Sequence, residues 1–454
     1  MSALELRASL SLASIYGLRM LGMFLILPIF AIYAETLPNH PSHLLIGLAL
    51  GAYGLTQAMF QLPFGMASDR YGRKRVIYIG LLLFVLGSVI AALANDIYVV
   101  IFGRAVQGAG AVSAAVTALV ADLTREEHRT KAMAMIGGTI GVTFALSLVA
   151  GPALNQWIGV PGIFWMTAIL SALAILVVKF VVPDPLISRF HSDAEAVPAR
   201  LKEVLQNPQL LRLNYGIFAL HAAQMAMFVV VPFAIKQTSG MGVNDHWKIY
   251  LPILLLSFVL MLPAIIAGEK RAKLKLVFVS AVALMLLAQL LFAATIQHFW
   301  GVVISLGVYF VAFNILEASL PSIISKVAPA ASKGTAMGVY NTAQSFGIFV
   351  GGVAGGYLSH FYNFSAVFLF CSVLTALWLF LALGMQAPPA VKSKMYHLGK
   401  ISAASAKVLS NRLSKLPGVR EAAVIAEEGL VVLKVDMQQN WDEQAALKLI
   451  VKGE

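Results

Sequence analysis

The sequence predicts an all-α membrane protein of twelve transmembrane helices in two six-helix bundles, followed by a small α+β domain. Three observations carry this. Of the 454 residues, 59% are hydrophobic and 12% are charged, about half the charged share of an ordinary soluble domain. Apolar stretches of about 20 residues, the length a helix needs to cross a bilayer core, recur as far as residue 386. Beyond it the apolar runs shorten and polar residues return.

The spans are expected at 9–34, 44–67, 76–94, 97–121, 132–156, 162–182, 209–236, 247–268, 275–296, 299–325, 334–358 and 363–386. The first exceeds the apolar core of a signal peptide, and no small-residue cleavage site follows a short core, so it reads as a retained helix. A polar stretch, PDPLISRFHSDAEAVPARLKEVLQNPQ, separates six spans from six. The expected units are a bundle over 1–182, a cytoplasmic linker over 183–208, a bundle over 209–386, a linker over 387–396 and a cytosolic domain over 397–454.

One set of alternate loops holds Arg70, Arg73, Lys74 and Arg75, then Arg125, Arg129 and Lys131, and further cations at Arg189, Arg200, Lys202, Arg212, Lys270, Arg271, Lys273, Lys275, Lys326 and Lys333. The opposite set has Lys236 and Lys248. The positive-inside rule then places both termini and the central linker in the cytoplasm. The net charge of +12 is thus a topology signal with anionic lipid as its neighbour, not a nucleic-acid footprint. The single Cys371 allows no internal disulfide and no thiolate metal site.

Between spans 2 and 3 stands Gly65-x-x-x-Asp69-Arg70-x-Gly72-Arg73-Lys74-Arg75. A basic loop accounts for the cations but not for the glycine and aspartate spacing. Gly72 suits a turn that reverses the chain in few residues, and Asp69, at a membrane edge, needs a cation or a helix N-terminus. This stretch closely resembles the loop signature of the major facilitator superfamily. Arg104-x-x-Gln107-Gly108-x-Gly110-Ala111 resembles that family's second motif, and Gly138, Ser147, Gly151 and Pro152 follow its antiporter-type pattern, with Asn155 and Gln156 where a glycine pair is usual. The resemblance, which extends to bacterial inner-membrane drug:proton antiporters, implies a conformational latch. In the outward-facing form Asp69 meets the start of span 11 near Ser332–Thr335, and Arg73 pairs with Asp122. Gly138, Gly151 and Pro152 are expected to serve helix packing, since small residues let helices approach closely in lipid.

Ionisable groups inside spans are costly and mark function by default. Arg19, Arg104, His221 and Glu317 are such groups, accompanied by Gln57, Gln107, Gln224, Asn314 and Asn341. The resemblance implies that spans 1, 4, 7 and 10 line a central cavity. Glu317 is the one carboxylate deep in a span. It reads as a protonation switch or as a static partner of Arg19 or Arg104. His221 is a second proton carrier or a packing residue. Met20, Met23, Phe24, Met225, Phe228, Phe310 and Phe313 suit lipophilic substrates or plain core.

The tail follows a β-α-β-β-α order, with Glu427-Glu428-Gly429 as its hairpin turn, and resembles a small ferredoxin-like domain without its Cys-x-x-Cys. It is expected to regulate the bundle, bind a small ligand, pair with another tail or act as a passive cap. The sequence thus points to a secondary transporter, not an enzyme: proton-coupled efflux of lipophilic drug-like or metabolite substrates, with uptake symport of a polar metabolite or ligand sensing as alternatives. No cofactor and no metal are expected, and the absence of Gly-x-x-x-x-Gly-Lys-Ser/Thr argues against direct ATP drive.

Overall fold

The computed structural model describes residues 1–451 apart from 39, 185–197, 271–272, 330–331, 389–390, 399–400, 427–428 and 437–438. Arg189, Arg271 and the hairpin pair Glu427-Glu428 fall outside the described residues.

Helix α1 (Ala3–Phe24) starts on a capping box in which Ser2 and Glu5 satisfy each other's backbone amides. The chain unwinds through 25–29 and resumes as α2 (Phe30–Ala34), so the span expected over 9–34 is two helices. Next come α3 (His43–Tyr71) and α4 (Arg73–Ala92), joined by Gly72 alone at φ +96°. Only glycine adopts that backbone without strain, which is why the reversal needs one residue. Span 4 is also two helices, α5 (Ile97–Ala109) and α6 (Ser113–Leu123), because the backbone departs from helix at Gly110. Spans 5 and 6 are two helices, taken together as α7 (Glu126–Phe180), that meet at Gly159, where φ +65° and ψ 175° break the helix.

The linker contains the short α8 (Leu201–Gln206). The second half comprises α9 (Pro208–Ser239), α10 (Trp247–Lys270), α11 (Leu274–Thr295), α12 (Phe299–Val327), α13 (Lys333–Phe361) and α14 (Phe364–Leu383). Among the described residues nine helical stretches are long and apolar enough to cross a membrane, and one of them, Lys131–Phe180, runs 50 residues. The interrupted α1–α2 and the glycine-rich, polar α13 fall outside that set. We call the end of the bundle where α1 begins and α14 finishes the near end, and the other the far end.

Helix α13 packs against α3 and α9 at once. On one side a Cβ on Gly352 would lie 2.5 Å from the Gly47 carbonyl, and on the other a Cβ on Gly351 would lie 2.1 Å from that of Ala222. Glycine on both flanks lets one helix join the two halves backbone to backbone. Gly151 is close-packed too, its Cβ position 2.4 Å from the Leu25 carbonyl where α1 unwinds. Gly138 corrects the expectation: a Cβ there meets nothing within 4 Å, as at Gly137 and Gly141. That part of α7 faces open space.

The tail contains β1 (Val391–His397), α15 (Ala403–Leu413), β2 (Val419–Ile425), β3 (Leu430–Asp436) and α16 (Glu443–Val451). The strands form an antiparallel sheet in the order β1-β3-β2, with Val391 opposite Asp436 and His397 opposite Leu430. Strand β1 begins within the stretch read as linker, 387–396. Inward-facing Val431, Leu433 and Val435 pack on Leu409, Leu413, Ala446 and Ile450 of the two helices.

Near the chain start, Glu5 accepts from the Arg125 backbone amide and guanidinium at 3.0 Å each, tying α1 to the head of α7. Those donors hold the Glu5 carboxyl well below the usual carboxylate range. The stabilisation is therefore present above an unfolded-state pKa of about 4.3 and fades as the pH falls below it. Glu5→Gln is expected to lose about 1–2 kcal/mol at pH 7, with the exposed Arg125 discounted. Thermal unfolding of both proteins from pH 7 to pH 3 checks this, and the gap should close at the acid end.

Candidate functional site

Two polar clusters occupy the interior, one in each half. In the first, Arg19 on α1 donates to Ser113 Oγ at 3.0 Å and to Gln57 Oε1 at 3.3 Å. Arg104 on α5 donates to Gln107 Oε1 at 2.8 Å, and Gln107 donates to Ser88 Oγ at 2.7 Å. Both guanidinium groups lie by the Tyr53 ring, 5.8 Å and 4.9 Å from its centroid, where the π face supplies some counter-charge. Arg19 is 1% exposed and Arg104 is sealed completely. Neither has a carboxylate partner among the described residues, and Arg19 Nε and Arg104 Nε and Nη2 have no hydrogen-bond acceptor. The static ion pair with Glu317 is therefore not formed. The arginines face neutral oxygens, and buried charge held that way is costly.

The second cluster joins α9, α12 and α13. His221 Nδ1 lies 3.2 Å from the Ile217 carbonyl, which only accepts, so this nitrogen carries a proton. In the neutral ring Nε2 is then an acceptor, and the Gln344 amide nitrogen stands 2.7 Å from it. Glu317 Oε2 lies 3.8 Å from the same Nε2 and has no hydrogen-bond donor. The Glu317 side chain is 32% exposed, although Oε2 itself is buried. The arrangement thus has two protonation states within reach. A proton on Glu317 removes an uncompensated charge, and a proton on His221 Nε2 creates an ion pair with it once Gln344 turns away.

The remaining polar residues divide. Asn314 donates to Ser257 Oγ at 2.8 Å and is committed to α10. Gln224 is buried on α9, and Asn341 is half-buried on α13 one turn before Gln344. The apolar residues expected to line a cavity are packed instead. Phe144 of α7 meets Phe24 at 5.1 Å and Phe313 at 5.5 Å, closing an aromatic layer between the halves.

At the near end Arg73 is buried and binds Asp69, Ser68 Oγ at 2.9 Å and Asp122 Oδ2 at 3.2 Å, all within the first half. Arg70 lies over the neighbouring Tyr71 ring. Asp69 is held by Arg73 rather than by the start of α13, where Ser332 donates to Glu203 of α8 at 2.9 Å. Gly65 packs on Ala114 of α6. At the far end the halves are joined directly. Asn155 donates to Asn244 at 2.7 Å, Lys236 pairs with Glu35 at 3.5 Å, and the His43 ring stacks on Phe233 at 4.8 Å.

Sequence reasoning missed this far-end closure, for its pairs are long-range. The one local hint was Asn155, standing where the antiporter pattern has glycine. Asn244→Ala removes one hydrogen bond across the closure, about 1 kcal/mol, and should raise the far-end-open population about fivefold. Spin labels on cysteines at the exposed positions 157 and 248, one in each half, would read this as a longer-distance component.

Two broken helices, a glycine-faced helix joining the halves and a carboxylate beside a histidine surround an internal polar site. The profile of the Major Facilitator Superfamily matches residues 12–352 and 269–414, and the chain belongs to that family. This membership makes the chain a membrane transporter rather than an enzyme. It is 43% identical over 432 residues, 95% of this chain and 94% of the relative, to the inner membrane transport protein YajR of Escherichia coli strain K12. It is also 29% identical over 185 residues, 38% of this chain, to the class B tetracycline resistance protein of Escherichia coli, of which the match covers 44%. Among solved structures, a bacterial homologue of the lysosomal transporter Spinster, inward-facing and occupied, superposes with a TM-score of 0.65 at 14% identity, covering 85% of this chain and 98% of that one. The human organic anion transporter MFSD10 gives 0.62 at 20% identity, covering 84% and 100%. At these identities the structures speak to the fold.

Proposed function

We propose that this chain is a proton-coupled secondary active transporter that works by alternating access and exports lipophilic or metabolite substrates across the bacterial inner membrane. The observation that carries this is Glu317, whose buried Oε2 lacks a hydrogen-bond donor and stands 3.8 Å from His221. A carboxylate so placed takes up and gives back a proton as solvent access changes sides. The nine apolar stretches, with Lys131–Phe180 crossing twice and with α1–α2 and α13 added, make twelve crossings with both termini in the cytoplasm. The near end is then cytoplasmic, and the closed far end makes this the inward-facing form. Arg73 and Asp122 form the standing part of the latch, and Asp69, here paired with Arg73, exchanges that partner for the start of α13 when the near end closes. The tail is a regulatory module of ferredoxin-like character.

Uptake symport is the second reading, supported by Asn155 and Gln156 in place of the glycine pair and by two arginines lacking carboxylate partners, which favour a polar anionic substrate. Everted inner-membrane vesicles with an imposed pH gradient separate the two. Under antiport, protons leave the lumen as a lipophilic compound enters it. Under symport, substrate and protons move the same way.

A further inference from the structure

The tail does not hang free. Its sheet has two faces, and α15 and α16 cover only the one that carries Val431, Leu433 and Val435. Leu430, Val432 and Lys434 alternate with these and point the other way, yet they are 1%, 5% and 5% exposed. Leu430 and Val432 pack with Met395, Ala423 and Ile425 of the neighbouring strands, whereas Lys434 reaches the bundle. Its ammonium pairs with Glu421, its cross-strand neighbour, at 2.7 Å, and donates to the backbone carbonyls of Ala328 at 2.6 Å and Lys326 at 3.3 Å. Those carbonyls terminate α12, and a helix C-terminus presents unsatisfied oxygens and partial negative charge that favour a cation. At one edge the sheet sets β1 against α7 of the first half. A cleft of about 330 Å³ lined by Asn207, Gln209, Lys326 and Glu421 remains beside these contacts, so the attachment is local rather than a continuous core.

We propose that the tail is a strap across the near end, fastened through Lys434 to α12, the helix that carries Glu317, and through β1 to α7, and that it restrains the rocking of one half on the other. The inference rests on the alternating-access reading. Because α7 and α12 belong to different halves, closing the near end shifts them relative to each other, and one attachment must slip. Lys434 is the one built to do so, for its two bundle partners are single carbonyl oxygens that water can replace.

The test uses the full chain in lipid nanodiscs. Maleimide labelling of an outer-face cysteine, Leu430→Cys, reports docking, and an inner-face cysteine, Leu433→Cys, reports whether the tail stays folded. Undocking is forced by Lys434→Met and, separately, by Val432→Asp, which places a carboxylate on the buried outer face of the sheet without touching the inner core. Spin labels at 157 and 248 report the far end. Either variant should raise Leu430→Cys labelling about tenfold, the factor for losing hydrogen bonds from a charged donor. Leu433→Cys should stay protected, and the far-end-open population should rise. Free labelling of Leu430→Cys with an intact Lys434, or no gain in either variant, overturns the docking. A distance distribution that responds to Asn244→Ala but not to the tail variants overturns the strap alone. One unchanging distribution in every variant overturns alternating access and the strap with it.

Discussion

Glu317→Gln is expected to abolish proton-driven accumulation of substrate while leaving exchange of substrate across the membrane intact. Glutamine has the shape of a protonated glutamate and cannot ionise, so the variant is fixed in one half of the cycle's charge states. The neutral side chain also ends the standing charge at Oε2, which lacks a donor, so protein stability should hold or rise. In proteoliposomes the wild type should accumulate substrate with a rate that depends on pH. The variant should show counterflow with a flat pH profile and no uphill accumulation. Retained uphill transport would move the proton site elsewhere, with His221 the first candidate, since its Nε2 has Glu317 and Gln344 as neighbours.

The second large effect is expected at Gly352. A Cβ there would stand 2.5 Å from the Gly47 carbonyl and 3.0 Å from the Gly51 backbone. These are main-chain atoms of α3 and cannot rotate away, so Gly352→Val forces the two halves apart at the far end. Overpacking of this kind costs about 1–3 kcal/mol, enough to move the balance away from the far-end-closed form by about fivefold or more. Gly138→Val is the matched control, for its side chain would enter open space. Spin labels at 157 and 248 should separate in the first variant and stay in place in the second. Equal behaviour of the two would mean that the α3–α13 contact is not the closure.

Much of this was legible in the residues. Apolar length and the alternation of cationic loops expose a helical membrane protein, and the Gly65–Arg75 spacing marks the superfamily before any coordinates. The pairing of Arg73 with Asp122 followed from that resemblance. Other features were not legible, for identifiable reasons. The breaks at 25–29 and at Gly110 lie in apolar stretches and are set by packing, as where Gly110 meets the Gly80 carbonyl. Gly138 and Gly151 look alike in sequence, yet only one faces another helix, because a small residue states that an approach is allowed and not that one occurs. Asn155 and Asn244 are 89 residues apart, and nothing local marks them as partners. A static pairing with Arg19 or Arg104 was one of the two readings of Glu317, and the arginines meet amide and hydroxyl oxygens instead. In the tail, Lys434 reads as an ordinary strand lysine, and only its burial against the end of α12 gives it a role.

The central claim is that substrate movement and proton movement are one process. The most direct measurement is the pH inside proteoliposomes containing a trapped fluorescent indicator, followed as each of a panel of lipophilic cations and polar anions is added under an imposed pH gradient. The account predicts that at least one compound triggers a proton flux in the wild type and none in Glu317→Gln. A compound that crosses in the wild type while the internal pH follows the same course as in empty vesicles would contradict it.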